Sequence, residues 1–114
     1  MRVIVCGGRD YSDERTIDTV MRALSMPTIV VHGDARGADR LAGHVARNLG
    51  LTVENHPADW KAHGKAAGPI RNQAMLDAGA DLVIAFPGGA GTADMVGRAR
   101  SAGVPVLHVD GGGA

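Results

Sequence analysis

Apolar residues gather in five short runs along the chain: Arg2 to Cys6, Thr28 to His32, Leu51 to His56, Asp81 to Phe86 and Val104 to Val109. Most are unbroken stretches of Val, Ile and Leu rather than alternating patterns, as in strands covered on both faces. Between the runs the spacing changes to three and four. Ile17, Val20, Met21 and Leu24 make one apolar stripe, and Leu41, Val45, Ala46 and Leu49 another. Helices are therefore predicted over 13–24, 38–49, 67–78 and 93–102. Gly50, Gly79 and Gly103 stand just past three of them, where a left-handed C-terminal cap is expected. Strand and helix alternate throughout. That order predicts a single-domain α/β fold, a Rossmann-like doubly wound parallel sheet of about five strands with helices on both faces. Residues 1–110 read as the domain and Gly111 to Ala114 as a flexible tail.

In such sheets ligands bind beyond the carboxyl ends of the strands, so the loops there should carry any chemistry. The most informative is Phe86-Pro87-Gly88-Gly89-Ala90-Gly91-Thr92, which runs from a buried strand into a helix start. Gly88, Gly89 and Gly91 would let the backbone approach a ligand closely. The helix start would offer unpaired N–H groups to a phosphate, and Thr92 could cap the helix or donate its hydroxyl to the same anion. The plain alternative is a tight turn and nothing more.

A second such turn is Gly33-Asp34-Ala35-Arg36-Gly37-Ala38-Asp39. It fits neither the dinucleotide G-x-G-x-x-G nor the Walker pattern. Asp34 and Asp39 could each cap the helix or accept from a ribose hydroxyl, with the ribose role favoured for Asp34 at the strand end. After the first strand come Gly7-Gly8-Arg9-Asp10-Tyr11. The glycines allow close approach, Arg9 could pair with a phosphate and Tyr11 could stack on a base, while Asp10 competes with Ser12 and Asp13 as a helix cap. Trp60 lies in the longest irregular segment, from His56 to Gly68, as a stacking platform for a purine or as a plug over the core. Arg71 and Asn72 fall in the first turn of the 67–78 helix, where a cation suits a bound anion better than it suits the dipole.

The 114 residues carry 12 basic and 12 acidic side chains, and 45% are hydrophobic. Zero net charge speaks against a chain that coats nucleic acid or an anionic membrane, and it fits self-association. A single cysteine, Cys6, and no long apolar run or leader point to the cytoplasm. The histidines are scattered with no paired cysteine, so neither a metal site nor a cofactor is expected.

Taken together, Gly-Gly-Arg-Asp at 7–10, Gly-Asp-x-x-Gly-Ala-Asp at 33–39, Pro-Ala-Asp-Trp at 57–60, Ala-Gly-x-x-Arg-Asn-x-x-Met at 67–75 and Pro-Gly-Gly-x-Gly-Thr at 87–92 resemble the SLOG superfamily. This Rossmann-like group includes the Lonely-Guy phosphoribohydrolases and the DNA-processing protein A domain, and the match is nearest to its small YpsA-related branch. In the phosphoribohydrolases an Arg on the third helix and a Glu three residues beyond Gly-Thr serve cleavage of the base–ribose bond. Arg71 matches the first; Met95 stands at the second, and Met can act as neither acid nor base. The resemblance leaves two functions open. One is binding of a nucleotide-derived ligand such as ADP-ribose, a nucleoside monophosphate or a nucleotide second messenger. The other is an N-glycosidic hydrolase using Arg71 with Asp10, Asp34 or Asp59 in place of the Glu. Nucleic-acid binding ranks third. The resemblance also implies pairing through the 67–78 and 93–102 helices, which matches their small and apolar residues (Ala66, Ala67, Ala74, Met75, Ala78, Met95, Val96, Ala99); a homodimer or higher even oligomer is expected.

Overall fold

The computed structural model describes residues 1–24 and 28–110; the expected tail, 111–114, lies outside them. β1 (Arg2–Cys6) sits at the centre of a five-stranded parallel sheet of order β3-β2-β1-β4-β5. Its neighbours are β2 (Ile29–His32) and β4 (Leu82–Ala85), with Ile4 opposite both Val31 and Val83. β3 (Thr52–Asn55) and β5 (Val106–His108) form the edges. The expected fold class stands.

Pleating divides β1 between two cores. Val3 and Val5 face α1 (Glu14–Arg22) and α2 (Ala38–Asn48), joining Ile17, Met21, Val45 and Phe86. Ile4 and Cys6 face the opposite way, onto Met75, Leu76, Met95, Val96 and Ala99. Those residues belong to α4 (Ala67–Asp77) and α5 (Ala90–Ser101). Both faces of the three central strands are thus removed from water, about 1.5–3 kcal/mol for each large aliphatic side chain. Gly50, Gly79 and Gly103 take φ of +77°, +104° and +75° behind their helices.

Several expectations change. The edge strands are not covered on both faces: β3 has exposed ends and Leu107 of β5 is 46% exposed. The segment read as irregular holds a short helix, α3 (Trp60–His63), and a 3-10 turn at Gly64–Ala66 that feeds α4. α5 begins at Ala90, three residues early, with Gly89 as its N-cap. Thr92 is therefore inside the first turn and is not the cap. Glycine has low helix propensity, but β4 ends at Ala85 and the chain turns into the helix within four residues. Arg71 is the fifth residue of α4, just past the first turn in which it was expected. Finally, Met75, Met95, Val96 and Ala99 are buried against the sheet and Ala67 is buried as well, so none can form an interface; Ala66, Ala74 and Ala78 remain exposed, with Ile70 46% exposed beside them.

Candidate functional site

Beyond the carboxyl ends of β1 and β4, where the strand order reverses, lies a cleft of about 560 Å³. Its floor is apolar, with Cys6 and Met75, and its walls bring together Gly7, Gly8, Arg9, Asp39, Trp60, Arg71, Asn72, Gly89, Gly91 and Thr92. These come from five separate stretches of the chain. Burial pushes the Cys6 thiol up to about 12, so it stays a neutral floor residue.

The β4 turn divides its glycines between two tasks. A Cβ on Gly88 would strike the Thr92 hydroxyl and the Gly8 amide, so Gly88 is required by packing of the chain on itself. Gly8 N–H donates to the Pro87 carbonyl at 2.8 Å, clamping the β1 and β4 turns together. A Cβ on Gly89 or Gly91 would meet nothing within 4 Å. Both glycines front open space at the start of α5, whose first-turn N–H groups have no acceptor within the helix and lie at the positive end of its dipole. Gly89, the N-cap, supplies no side-chain acceptor for them.

Two guanidiniums reach this cleft. Arg71 donates from Nη1 to the Gly33 carbonyl at 2.5 Å and from Nε to Asn72 Oδ1 at 3.0 Å. Asn72 is buried and passes its amide on to the Gly91 carbonyl (3.3 Å) and Asp94 Oδ2 (3.0 Å). One side chain thus links the Arg71 guanidinium to the first turn of α5. Gly33 has no Cβ because the guanidinium occupies that place. Arg9 lies over the Trp60 ring, 5.8 Å from its centroid. Trp60 itself is 50% exposed, so it lines the cleft instead of plugging the core.

Asp39 is 5% exposed, and its Oδ2 accepts from Gly33 N (3.0 Å) and Ala35 N (3.3 Å). It holds the β2 turn from within the first turn of α2, while Gly37 is the N-cap. Desolvation raises its carboxyl to about 6, against those hydrogen bonds and the pull of Arg71. Asp34 adopts φ +56° and donates its N–H to His32 Nδ1. It borders a second depression, about 470 Å³, which adjoins the cleft. Gly37, at φ +83°, packs against the Gly8 and Arg9 carbonyls.

Other expected site residues are not brought together. Tyr11 packs on Phe86, ring centroids 5.2 Å apart, in the core beneath α1 and α2. Asp10, 96% exposed, pairs with Arg36, and Asp59 caps α3 through Ala62 N. Met95 is fully buried, and the neighbouring Asp94 accepts from Asn72 and Arg98. The carboxylates beside the cleft are Asp39 and, in the adjoining depression, Asp34. Lys65, in the 3-10 turn that feeds α4, lines the cleft as well. Among the described residues no three His, Cys, Asp or Glu side chains converge as a metal site requires, and no helix is long and apolar enough to cross a membrane.

A family model described as the YspA, cpYpsA-related SLOG family (YAcAr) matches residues 1–63. The motifs at 67–75 and 87–92 lie beyond that segment. The Gene 61 protein of Mycobacterium phage D29 is 41% identical over 118 residues, spanning 94% of each chain. The X-ray structure of DNA processing protein A from Streptococcus pneumoniae aligns with 96% of this chain at a TM-score of 0.82 and 20% identity. This chain spans about half of that protein, and the likeness is one of fold. Since that family model covers more than half of its 114 residues, the chain belongs to the YspA, cpYpsA-related SLOG family.

Proposed function

We propose that this protein binds a nucleotide-derived small molecule, such as ADP-ribose, a nucleoside monophosphate or a nucleotide second messenger, and senses or sequesters it without cleaving it. The observation that carries this reading is the start of α5. Gly89 and Gly91 front open space there, beside Arg71, which is tied to the same turn through Asn72. A phosphate bound to the α5 amides would meet the dipole, the guanidinium and, across the cleft, Arg9 and the exposed Trp60 face. Binding without turnover is supported by the burial of Met95, which leaves no carboxylate at the position the hydrolases use. The family's link to a DNA-processing fold makes single-stranded DNA the control ligand.

Calorimetry against nucleoside monophosphates, ADP-ribose, dinucleotides and cyclic dinucleotides tests the reading. One class should bind, Gly89→Val should abolish the heat with the melting midpoint kept, and chromatography should recover the ligand intact. No heat from any member, or rapid release of free base, would overturn it. The protein further acts as a homodimer through the exposed surface of Ile70 and Ala74 on α4 and of Ala66 and Ala78 at its two ends. Light scattering across a dilution series should give twice the protomer mass; a constant monomer mass would remove this part. The zero net charge and single cysteine fit a cytoplasmic setting.

A further inference from the structure

The second depression adjoins the main cleft and shares with it Arg9, Ala35, Trp60 and Arg71. Arg36 and Arg40 complete its wall, so four guanidiniums face one hollow with a single carboxylate, Asp34, among them. In a chain whose 12 basic and 12 acidic residues cancel, that concentration is local. Internal pairing does not account for it. Arg36 donates to the Arg9 carbonyl and to Asp10, both at 3.2 Å, but Asp10 is 96% exposed and such pairs contribute little. Arg40 reaches the Asp34 carbonyl (3.2 Å) and its carboxylate (3.4 Å) through Nε alone. Each guanidinium has five N–H donors, so most of those on Arg36 and Arg40 are left for solvent or a ligand. Helix stability gives no reason for them either. They flank the start of α2, whose dipole end is already positive.

We propose that this depression holds a second phosphate group. The inference rests on the proposed function, in which the first phosphate sits at the start of α5. The ligand is then a nucleotide carrying two phosphates set apart on its skeleton, with the nucleoside lying across Trp60 between the lobes. Arg9 and Arg71, which border both hollows, would contact either group.

The test compares each nucleoside 5′-monophosphate with its 3′,5′-bisphosphate by calorimetry, on wild type, on the double variant Arg36→Ala/Arg40→Ala and on Gly89→Val. For the base that binds, wild type should favour the bisphosphate at least tenfold. The double variant should bring that ratio close to one. Both variants alter exposed or open positions, and thermal melting verifies that they fold. Equal wild-type affinities, or a ratio that survives in the double variant, would overturn the second site while leaving the first intact. Absence of binding by any nucleotide, or insensitivity of both to Gly89→Val, would overturn the first reading and this inference with it. Tighter, steeply salt-dependent binding of single-stranded oligonucleotides than of any bisphosphate would assign the arginines to nucleic acid instead.

Discussion

The turns after β2 and β4 both carry glycines and both lead into a helix, but their amides meet different fates. In the β2 turn the N–H groups of Gly33 and Ala35 go to Asp39 and that of Asp34 goes to His32. Its glycines are filled by the rest of the fold, Gly33 by the Arg71 guanidinium and Gly37 by the β1 turn. In the β4 turn, only Gly88 is spoken for in that way; Gly89 and Gly91 are not. A glycine-rich turn is thus no evidence of a ligand until its neighbours are known. The β2 turn is a bracket that fixes Arg71, and the β4 turn is the surface we propose for the anion.

The largest expected effect lies in α5, the helix that leaves the β4 turn. Met95 has no exposed surface, so Met95→Glu would bury an unpaired carboxylate in the α4–α5 core. A loss on the order of 3–5 kcal/mol is expected by chemical denaturation, with no gain of base release. A variant of unchanged stability that cleaves nucleotides would contradict the placement of this side chain outside the cleft.

Next in size is the charge inside the bracket. Burial raises the Asp39 carboxyl to about 6 from 3.8, so folding favours its protonated form. That contribution is fully present below about pH 4 and is lost as pH rises through 6. Asn keeps an oxygen for the Gly33 and Ala35 amides, which both donate to one carboxylate oxygen. Asp39→Asn should therefore be more stable than wild type at pH 7, on the order of 1–3 kcal/mol, with the difference closing towards pH 4. His32 leans the other way, since burial lowers its pKa; subtracting the two stability curves isolates Asp39. A difference independent of pH would contradict the assignment.

Gly33→Ala tests the link between the turns. The added Cβ would displace the end of the flexible Arg71 side chain from the Gly33 carbonyl. Nucleotide affinity should fall about tenfold, equivalent to about 1.4 kcal/mol, while the unfolding midpoint moves little. Unchanged affinity would show that Arg71 need not be held there.

Much of this is legible in the sequence, and the parts that are not have physical reasons. β1, the helix starts at Ala38 and Ala67 and the capping glycines emerge from periodicity, because burial on two faces and helix ends constrain residue type strongly. α3 has only four residues and escapes any periodic signal. The start of α5 is hidden by its glycines, whose low propensity is overridden by the turn from Ala85. Arg71 stands out because a cation near a helix start is out of place, although it lies just past the first turn of α4. The same signal stands at Arg36 and Arg40, spaced four apart around the start of α2, and would have found the second depression. Tyr11 defeats a sequence reading because its position after a strand says nothing of which way the ring turns, and Phe86 draws it into the core.

The most direct measurement tracks backbone amide resonances while the tightest-binding nucleotide of the calorimetric panel is titrated into the protein. The amides of Gly89, Ala90, Gly91 and Thr92 should shift most, and those of Gly33 and Ala35, held by Asp39, should shift far less. Changes largest at Gly33 and Ala35, with residues 89–92 unmoved, would contradict the assignment of the β4 turn as the phosphate site.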